Sequence, residues 1–357
     1  MSVFDAPAFD QHEEVSFARD ADSGLRAIIA VHDRSLGPAV GGCRVFPYSN
    51  DAQALDDVLR LSRGMTYKSA LAGLPLGGGK SVIIADPRCD KTPALLAAMG
   101  RFIDRFGGRY VAAEDSGTSV EDLRQMARET RHVSGIDGTE HGGDPSPSTA
   151  RGVFIAIRTA LRHRLGSDAL GSVRVAVQGL GHVGYRLAAL LRAEGAEVVA
   201  ADVDLRRCQR AEAELGVRPL SIDDIVAADV DVFAPCALGD SLNAASIPRL
   251  RAGIVAGAAN NQLHEEADAA RLADRGILYC PDFLINAGGI IDVHFQRSGW
   301  SRSGLERSIA AIGERLEEVL RRADESRRPT SAIAEDLARE MLESARRAGE
   351  TAPRCVA

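Results

Sequence analysis

Lysine is nearly missing from this chain. Of its 43 basic residues only three are lysine, Lys68, Lys80 and Lys91, and the remaining 40 are arginine. Aromatic residues are scarce at 4%, with a single tryptophan, and no run approaches the roughly 18 apolar residues that a membrane span needs. The N-terminal stretch MSVFDAPAFDQHEE has neither the positive start nor the apolar run of a secretory signal. Six cysteines form no C-x-x-C pair and have no histidine at metal-ligand spacing, which predicts reduced thiols in a cytoplasmic protein without a metal site. Basic excess is lacking too. A net charge of −7 argues against the clustered positive surface on which nucleic-acid binding depends.

What remains is an ordinary soluble composition, 45% apolar and 26% charged, in a chain of 357 residues, long enough for two domains. The first half alternates β-like runs (AIIAVH, SVIIAD, RYVAAED) with helical patterns such as DAQALDDVLRLSRGMTYKSALA, TPALLAAMGRFIDRF and SVEDLRQMARE, which predicts an α/β sheet covered by helices. The Gly-, Pro- and Ser-rich stretch at 135–150 reads as a connection, dividing a domain of residues 1–144 from one of residues 145–325. Beyond it, VRVAVQGL, AEVVAADVD, VDVFAPCAL, IVAGAAN and ILYCPDF are continuously apolar, as in parallel strands covered on both faces. Two helical patterns close the chain, one carrying Leu305, Ile309, Ile312, Leu316 and Val319, the other beginning after Pro329.

In VAVQGLGHVGYRLAALL, Gly179, Gly181 and Gly184 form a G-x-G-x-x-G array that includes Leu180, His182 and Val183. The array follows a strand and opens a helix, and Asp202 ends the next strand 23 positions after Gly179. Glycines there let backbone N–H groups approach a pyrophosphate at a helix N-terminus, and the Asp202 carboxylate suits ribose hydroxyls while repelling a 2′-phosphate. The pattern predicts a Rossmann-type domain selecting NAD over NADP. Arg206 and Arg207 lie just beyond, where they would favour NADP unless they only mark a solvated helix start, the stronger of the two readings.

Two of the lysines flank GLPLGGGKSVI, a run of three glycines before Lys80. Only an amine, not a guanidinium, loses its proton near neutral pH. Lys68 lies one turn after Met65, beside the apolar stripe of Leu55, Val58 and Leu59, and Lys80 begins a strand after glycines that would let a small ligand approach. Two ammonium groups facing one dehydrated pocket repel, so one should lose its proton readily and act as a base while the other pairs with a carboxylate. In YVAAEDSGTSVEDL, Thr118 to Glu121 fits a capping box, which leaves Asp115 either as a spare carboxylate at a strand end or as a second polar turn residue.

These motifs together resemble the amino-acid dehydrogenase family of glutamate, leucine, valine and phenylalanine dehydrogenases. The resemblance rests on GPAVGGCR (37–44), MTYKSALAGLPLGGGKSVI (65–83), AAEDSGTS (112–119), PSPSTARGV (145–153), VQGLGHVG (177–184), FAPCALG (233–239), VAGAANNQL (255–263) and PDFLINAGGII (281–291). It implies that Lys68 binds the substrate α-carboxylate, that Lys80 activates the water attacking an imine, and that Asp115 exchanges protons with the amino group. It implies cofactor contacts at Arg44, Thr149, Cys236, Ala237, Asn260 and Asn286. A first, catalytic domain would receive the C-terminal helix (326–357), with a cleft between it and the NAD domain. The assembly would be a homo-oligomer.

The resemblance also bears on the substrate. Glutamate-type members carry a lysine where this chain has Val40, and a carboxylate buried against valine lacks a partner. The pocket it implies, Val40, Gly41, Gly42, Ala113, Ile290 and Val293, offers no charge. Ala113–Glu114 is similar to the leucine type, whereas GGGKSVI and FAPCALG are nearer the phenylalanine type; the expectation is leucine or valine, with phenylalanine second. Cys43 replaces a family threonine. A 2-hydroxy-acid dehydrogenase would need a His–carboxylate base, which is not visible among His132, His141 and His182, and a non-catalytic NAD sensor would need neither Lys80 nor the glycine run.

Overall fold

In a computed structural model the described residues are 2–136, 143–237 and 239–351. Part of the 135–150 connection with His141, Leu238 of FAPCALG, and the last six residues with Cys355 lie outside them. The chain divides into two compact units. One comprises the described residues up to Gly143, Gln296–Trp300 and the chain from Ala338 onward; the other comprises Asp144–Phe295 and Ser301–Leu337.

The first unit is built on five strands, β1 (Glu14–Asp20), β2 (Leu25–Asp33), β3 (Ala39–Phe46), β4 (Gly77–Ile84) and β5 (Tyr110–Glu114), in the order β1-β2-β4-β3-β5. β1 and β4 both run antiparallel to β2, while β3 runs parallel to β4 and β5. Helix α1 (Asp51–Leu71) covers one face, where Ala54, Val58 and Leu59 pack on Ile28, Ala30 and Val82. Helices α2 (Pro93–Asp104) and α3 (Val120–Met126) cover the other, where Met99, Ile103, Leu123 and Met126 pack with Ala27, Ile29 and Ile83. Burial on both faces is why AIIAVH reads as unbroken apolar sequence rather than alternation. Each large side chain so enclosed contributes about 1.5–3 kcal/mol.

Two of these strands are not evident in the sequence. β1 carries the polar alternation EVSFARD at a sheet edge, and β3 contains adjacent glycines, a residue type depleted from strands.

The second unit opens with α4 (Ser146–Leu165) and carries six strands, β6 (Arg174–Gln178), β7 (Glu197–Ala201), β8 (Arg218–Pro219), β9 (Val232–Pro235), β10 (Ile254–Val255) and β11 (Leu278–Tyr279). Their order is β11-β10-β9-β6-β7-β8, with every neighbouring pair parallel. That is the doubly wound 3-2-1-4-5-6 arrangement, whose order reverses between β6 and β9. Helix α5 (His182–Ala193) follows β6. The closing helices run Arg302–Ser326 and Thr330–Thr351. Among the described residues no helix is long and apolar enough to cross a membrane.

Candidate functional site

In the first unit, Lys80 projects from the middle of β4 and is only 6% exposed. Its Nζ lies 2.9 Å from Asp115 Oδ2, just past the end of β5. Arg44 of β3 reaches the same carboxylate oxygen, Nε to Oδ2 3.1 Å, and its Nη1 lies 2.9 Å from Asp57 Oδ2 on α1. Burial opposes the charge on Asp115, but Lys80 and Arg44 outweigh it and hold the carboxyl below the ordinary aspartate range. The immediate neighbour of the Lys80 amine is therefore a carboxylate, where the sequence suggested a second ammonium.

Room for this arrangement comes from Gly42, paired with Ala113 of β5: a Cβ on Gly42 would stand 2.5 Å from Asp115 Cβ. Val40 is buried in β3 opposite Gly78 and Val111, and Ala113 is half-buried. Lys68 is half-buried in the last turns of α1. Met65, one turn earlier on the same side, comes within 3.4 Å of where Gly41 would carry its Cβ.

Two local expectations are corrected. Gly77–Gly79 belong to β4 itself, and the space beside them is filled by protein: a Cβ on Gly78 would lie 2.1 Å from Thr66 N, and one on Gly79 2.7 Å from the Tyr110 ring. The glycines let α1 and Tyr110 close on the strand. The cap of α3 is Ser119, whose hydroxyl accepts from Asp122 N, because Thr118 is engaged elsewhere. Thr118 Oγ1 accepts from Asp115 N at 2.9 Å and donates to Cys43 O at 2.9 Å, fixing the turn that presents Asp115. The third lysine reinforces this turn, Lys91 Nζ donating to Gly117 O at 3.0 Å and pairing with Asp122 at 2.7 Å. No sequence pattern marks Asp57, Thr118 or Lys91 for these roles, since each is fixed by a contact between different elements: Asp57 with Arg44, Thr118 with Cys43 O, Lys91 with Asp122.

In the second unit the glycine array joins β6 to α5. Gly179 adopts φ +99°, which its lack of a Cβ permits, and a Cβ there would meet Ala237 N at 2.8 Å. A Cβ on Gly184 would lie 2.0 Å from Gly179 O and 3.1 Å from Cys236 Cβ, so the array and Cys236–Ala237 pack together beyond the ends of β6 and β9. Gly181 caps α5 with no side-chain bond, and a Cβ on it would meet nothing. Beside it is a cavity of about 520 Å³, lined among others by Leu180, His182, Arg207 and Arg210.

Asp202 faces the array: its carboxylate, 5% exposed, accepts from Leu180 N at 2.7 Å and Asp204 N at 2.8 Å, with Arg207 Nη1 at 3.5 Å. Asn286 Nδ2 donates to Asn260 Oδ1 at 2.9 Å and to Ala258 O, while Asn286 Oδ1 is buried without a partner among the described residues. Thr149, in the first turn of α4, abuts the start of the helix Gly288–Ser298: a Cβ on Gly289 would lie 2.8 Å from its Oγ1. Ile290 and Val293 share a half-buried face of the helix Gly288–Ser298, and Ser148 donates to buried Asp292 between them, a carboxylate legible in sequence only as a charge inside GGIIDVHF. Among the described residues no group of three or more His, Cys, Asp or Glu could hold a metal ion.

Residues 10–132 match the family described as Glu/Leu/Phe/Val dehydrogenase, dimerisation domain, and residues 142–205 and 204–348 match Glutamate/Leucine/Phenylalanine/Valine dehydrogenase. A leucine dehydrogenase of Geobacillus stearothermophilus is 44% identical over 98% of this chain and 95% of its own. A phenylalanine dehydrogenase of Bacillus thermotolerans is 41% identical over 88% and 84%. The crystal structure of L-tryptophan dehydrogenase from Nostoc punctiforme superposes with a TM-score of 0.82 at 40% identity, covering 94% of this chain and 97% of that one. The chain belongs to the glutamate, leucine, phenylalanine and valine dehydrogenase family, oxidoreductases that act on CH–NH2 donors.

Proposed function

We propose that the chain catalyses the reversible, NAD-dependent oxidative deamination of a branched-chain aliphatic L-amino acid, leucine or valine, to the 2-oxo acid and ammonia. The observation that carries this reading is the buried Lys80–Asp115 pair, in which an amine and a carboxylate stand at proton-transfer distance.

The residues around the glycine array fit a dinucleotide. The capless start of α5, the open space at Gly181, the 520 Å³ cavity and the orphaned Asn286 Oδ1 are together what a pyrophosphate and a nicotinamide amide would use. Gly179–Gly184 and Asp202 would hold the phosphates and adenosine ribose, and Thr149, Cys236, Ala237, Asn260 and Asn286 the nicotinamide end. When bound, NAD+ supplies the acceptor for the substrate's Cα hydride.

Lys68 pairs with the α-carboxylate and fixes Cα. Ionised Asp115 takes a proton from the substrate ammonium, freeing the nitrogen lone pair that expels hydride and leaves an iminium. Lys80 then takes a proton from water as its oxygen bonds to the iminium carbon. Returning a proton to nitrogen while the carbinol hydroxyl gives up its own breaks the C–N bond as the C=O forms, releasing ammonia and the 2-oxo acid. Lys80 Nζ and Asp115 Oδ2 stand 2.9 Å apart, so the two proton acceptors would address the same substrate centre.

Buried, uncharged Val40 disfavours a glutamate side chain, and Ala113, Ile290 and Val293 offer apolar surface. Phenylalanine is the second reading, favoured by the 41% identity to a phenylalanine dehydrogenase. A methylene or two against apolar side chains discriminates by only about 1–3 kcal/mol. In this reading residues 1–144 bind substrate, 145–325 bind NAD, and the protein works as a cytoplasmic homo-oligomer.

The test is ammonia-dependent NADH oxidation with 4-methyl-2-oxopentanoate, 3-methyl-2-oxobutanoate and phenylpyruvate, repeated with NADPH. Fastest turnover with the two aliphatic acids and NADH is expected. No turnover with any of the three would end the reading.

A further inference from the structure

Within the second unit, the first turn of α4, which carries Thr149, packs on the start of the helix Gly288–Ser298, which carries Ile290 and Val293. Glycine lets the two backbones meet: a Cβ on Gly288 would lie 2.1 Å from Ser148 O, and one on Gly289 2.8 Å from Thr149 Oγ1. Asp292 stands one turn after Gly288 on the same side and accepts a hydrogen bond from the Ser148 hydroxyl. Both residues are only 8% exposed. We propose that the Ser148–Asp292 hydrogen bond is a positioning clamp, which holds Thr149 and the Ile290–Val293 face in one register and thereby sets which substrate side chain is accepted. It rests on the proposed reaction, with Thr149 at the nicotinamide and Ile290 and Val293 at the substrate side chain.

The glycine contacts bring the two helices close but do not key them, because neither Gly288 nor Gly289 has a side chain to stop one helix turning or sliding against the other. A hydroxyl donating to a carboxylate does so, being short, strong and directional. Other constraints on the first turn of α4 are weak. Its N-cap is Pro145, which makes no side-chain cap bond, and the Thr149 hydroxyl donates only within its own turn, to Pro145 O at 3.3 Å. The positive end of the α4 dipole also favours a carboxylate placed beside that turn. Enclosing a carboxylate in a helix start as apolar as GGIIDV is costly without such partners, so its position follows from them. Side chains that differ by a methylene or two are separated by small energies, and selectivity is therefore the first property that a loosened helix loses.

The experiment uses the full chain with Ser148→Ala, Asp292→Ala, the double variant and Asp292→Asn. It reads kcat and KM for 4-methyl-2-oxopentanoate and phenylpyruvate, the Kd for NADH by fluorescence, and the thermal midpoint. Ser148→Ala and Asp292→Ala should each change the ratio of kcat/KM for the two acids by about five-fold or more and weaken NADH binding about three-fold. The double variant should be no worse than the poorer single one, since both remove the same interaction. Asp292→Asn, whose amide oxygen still accepts from Ser148, should recover most of the wild-type ratio. A bond with a merely structural role would lower the thermal midpoint and leave the ratio and the Kd unchanged. That result, or losses that multiply in the double variant, would overturn the proposal. If Asp292→Ala does not fold, a ratio changed in Ser148→Ala and kept in Asp292→Asn supports the clamp, and a ratio unchanged in Ser148→Ala overturns it. Should the wild-type chain turn over neither acid, the reaction assigned above fails, and the Kd for NADH still decides the clamp: weakened in Ser148→Ala it stands, unchanged it falls.

Discussion

Lys80 Nζ and Asp115 Oδ2 stand 2.9 Å apart, although 35 residues separate them in sequence and they leave strands that do not adjoin in the sheet order. If this amine is the base of the reaction, Lys80→Met should lower kcat by about 10²–10⁴-fold while leaving NADH binding unchanged. Lys68→Ala should act mainly through KM for the amino acid. Steady-state kinetics with a fluorescence titration of NADH separate the two, and equal mild losses from both variants would contradict the assignment.

Gly42→Ala tests the placement of Asp115. The new methyl would have to occupy a point 2.5 Å from Asp115 Cβ and 3.0 Å from Glu114 O. Either β5 or the Asp115 turn must shift, and a displacement near 1 Å at a reacting group costs on the order of 10²-fold. The expected outcome is a fall in kcat with thermal stability only modestly reduced; full activity would mean that Asp115 tolerates displacement and does not take part.

Gly78→Ala tests a different role. Its Cβ would fall 2.1 Å from the backbone N of Thr66, so helix α1 as a whole must move off the sheet. Overpacking of this kind costs about 1–3 kcal/mol or more. A lowered midpoint in chemical denaturation is expected whether or not ligands are present. Loss of activity at unchanged stability would instead favour the ligand-access role that the glycine run suggested in sequence.

His32 should make the protein sensitive to mild acid. Its ring is buried against His12, with Nδ1 2.9 Å from Thr66 Oγ1, and burial, then the second ring, lowers its pKa to about 4. The folded chain keeps His32 neutral between about pH 6.5 and 4, whereas the unfolded chain protonates it in that window. Stability is therefore complete above pH 6.5 and declines as pH falls toward 4, by about 3 kcal/mol in all. Denaturation curves at pH 7 and pH 5 for wild type and His32→Gln check this, the variant being expected to lose much of the difference.

The glycine array, Asp202 and the run of continuously apolar strands made the second unit readable, because a strand–turn–helix signature is local and parallel strands announce themselves by composition. The site of the first unit was readable only as a set of suspects. Lys80 and Asp115 stood out by rarity and by position, but nothing in GPAVGGCR says that Gly41 and Gly42 sit inside a strand. Nothing near Asp57 says that it faces Arg44. Such pairings depend on strand order and helix docking, which local sequence does not encode. Even the local signal at Thr118 misled, since a hydroxyl one residue before the true cap was claimed by a carbonyl on another strand, Cys43 O.

The scarcity of lysine has a practical side. With Lys80 enclosed and Lys91 tied to Gly117 and Asp122, side-chain acylating or reductively alkylating reagents find few accessible targets on this surface. Native labelling can therefore mark at most three lysine side chains, and if Lys68 binds substrate as proposed, its protection by a bound oxo acid would turn a crude chemical probe into an occupancy gauge.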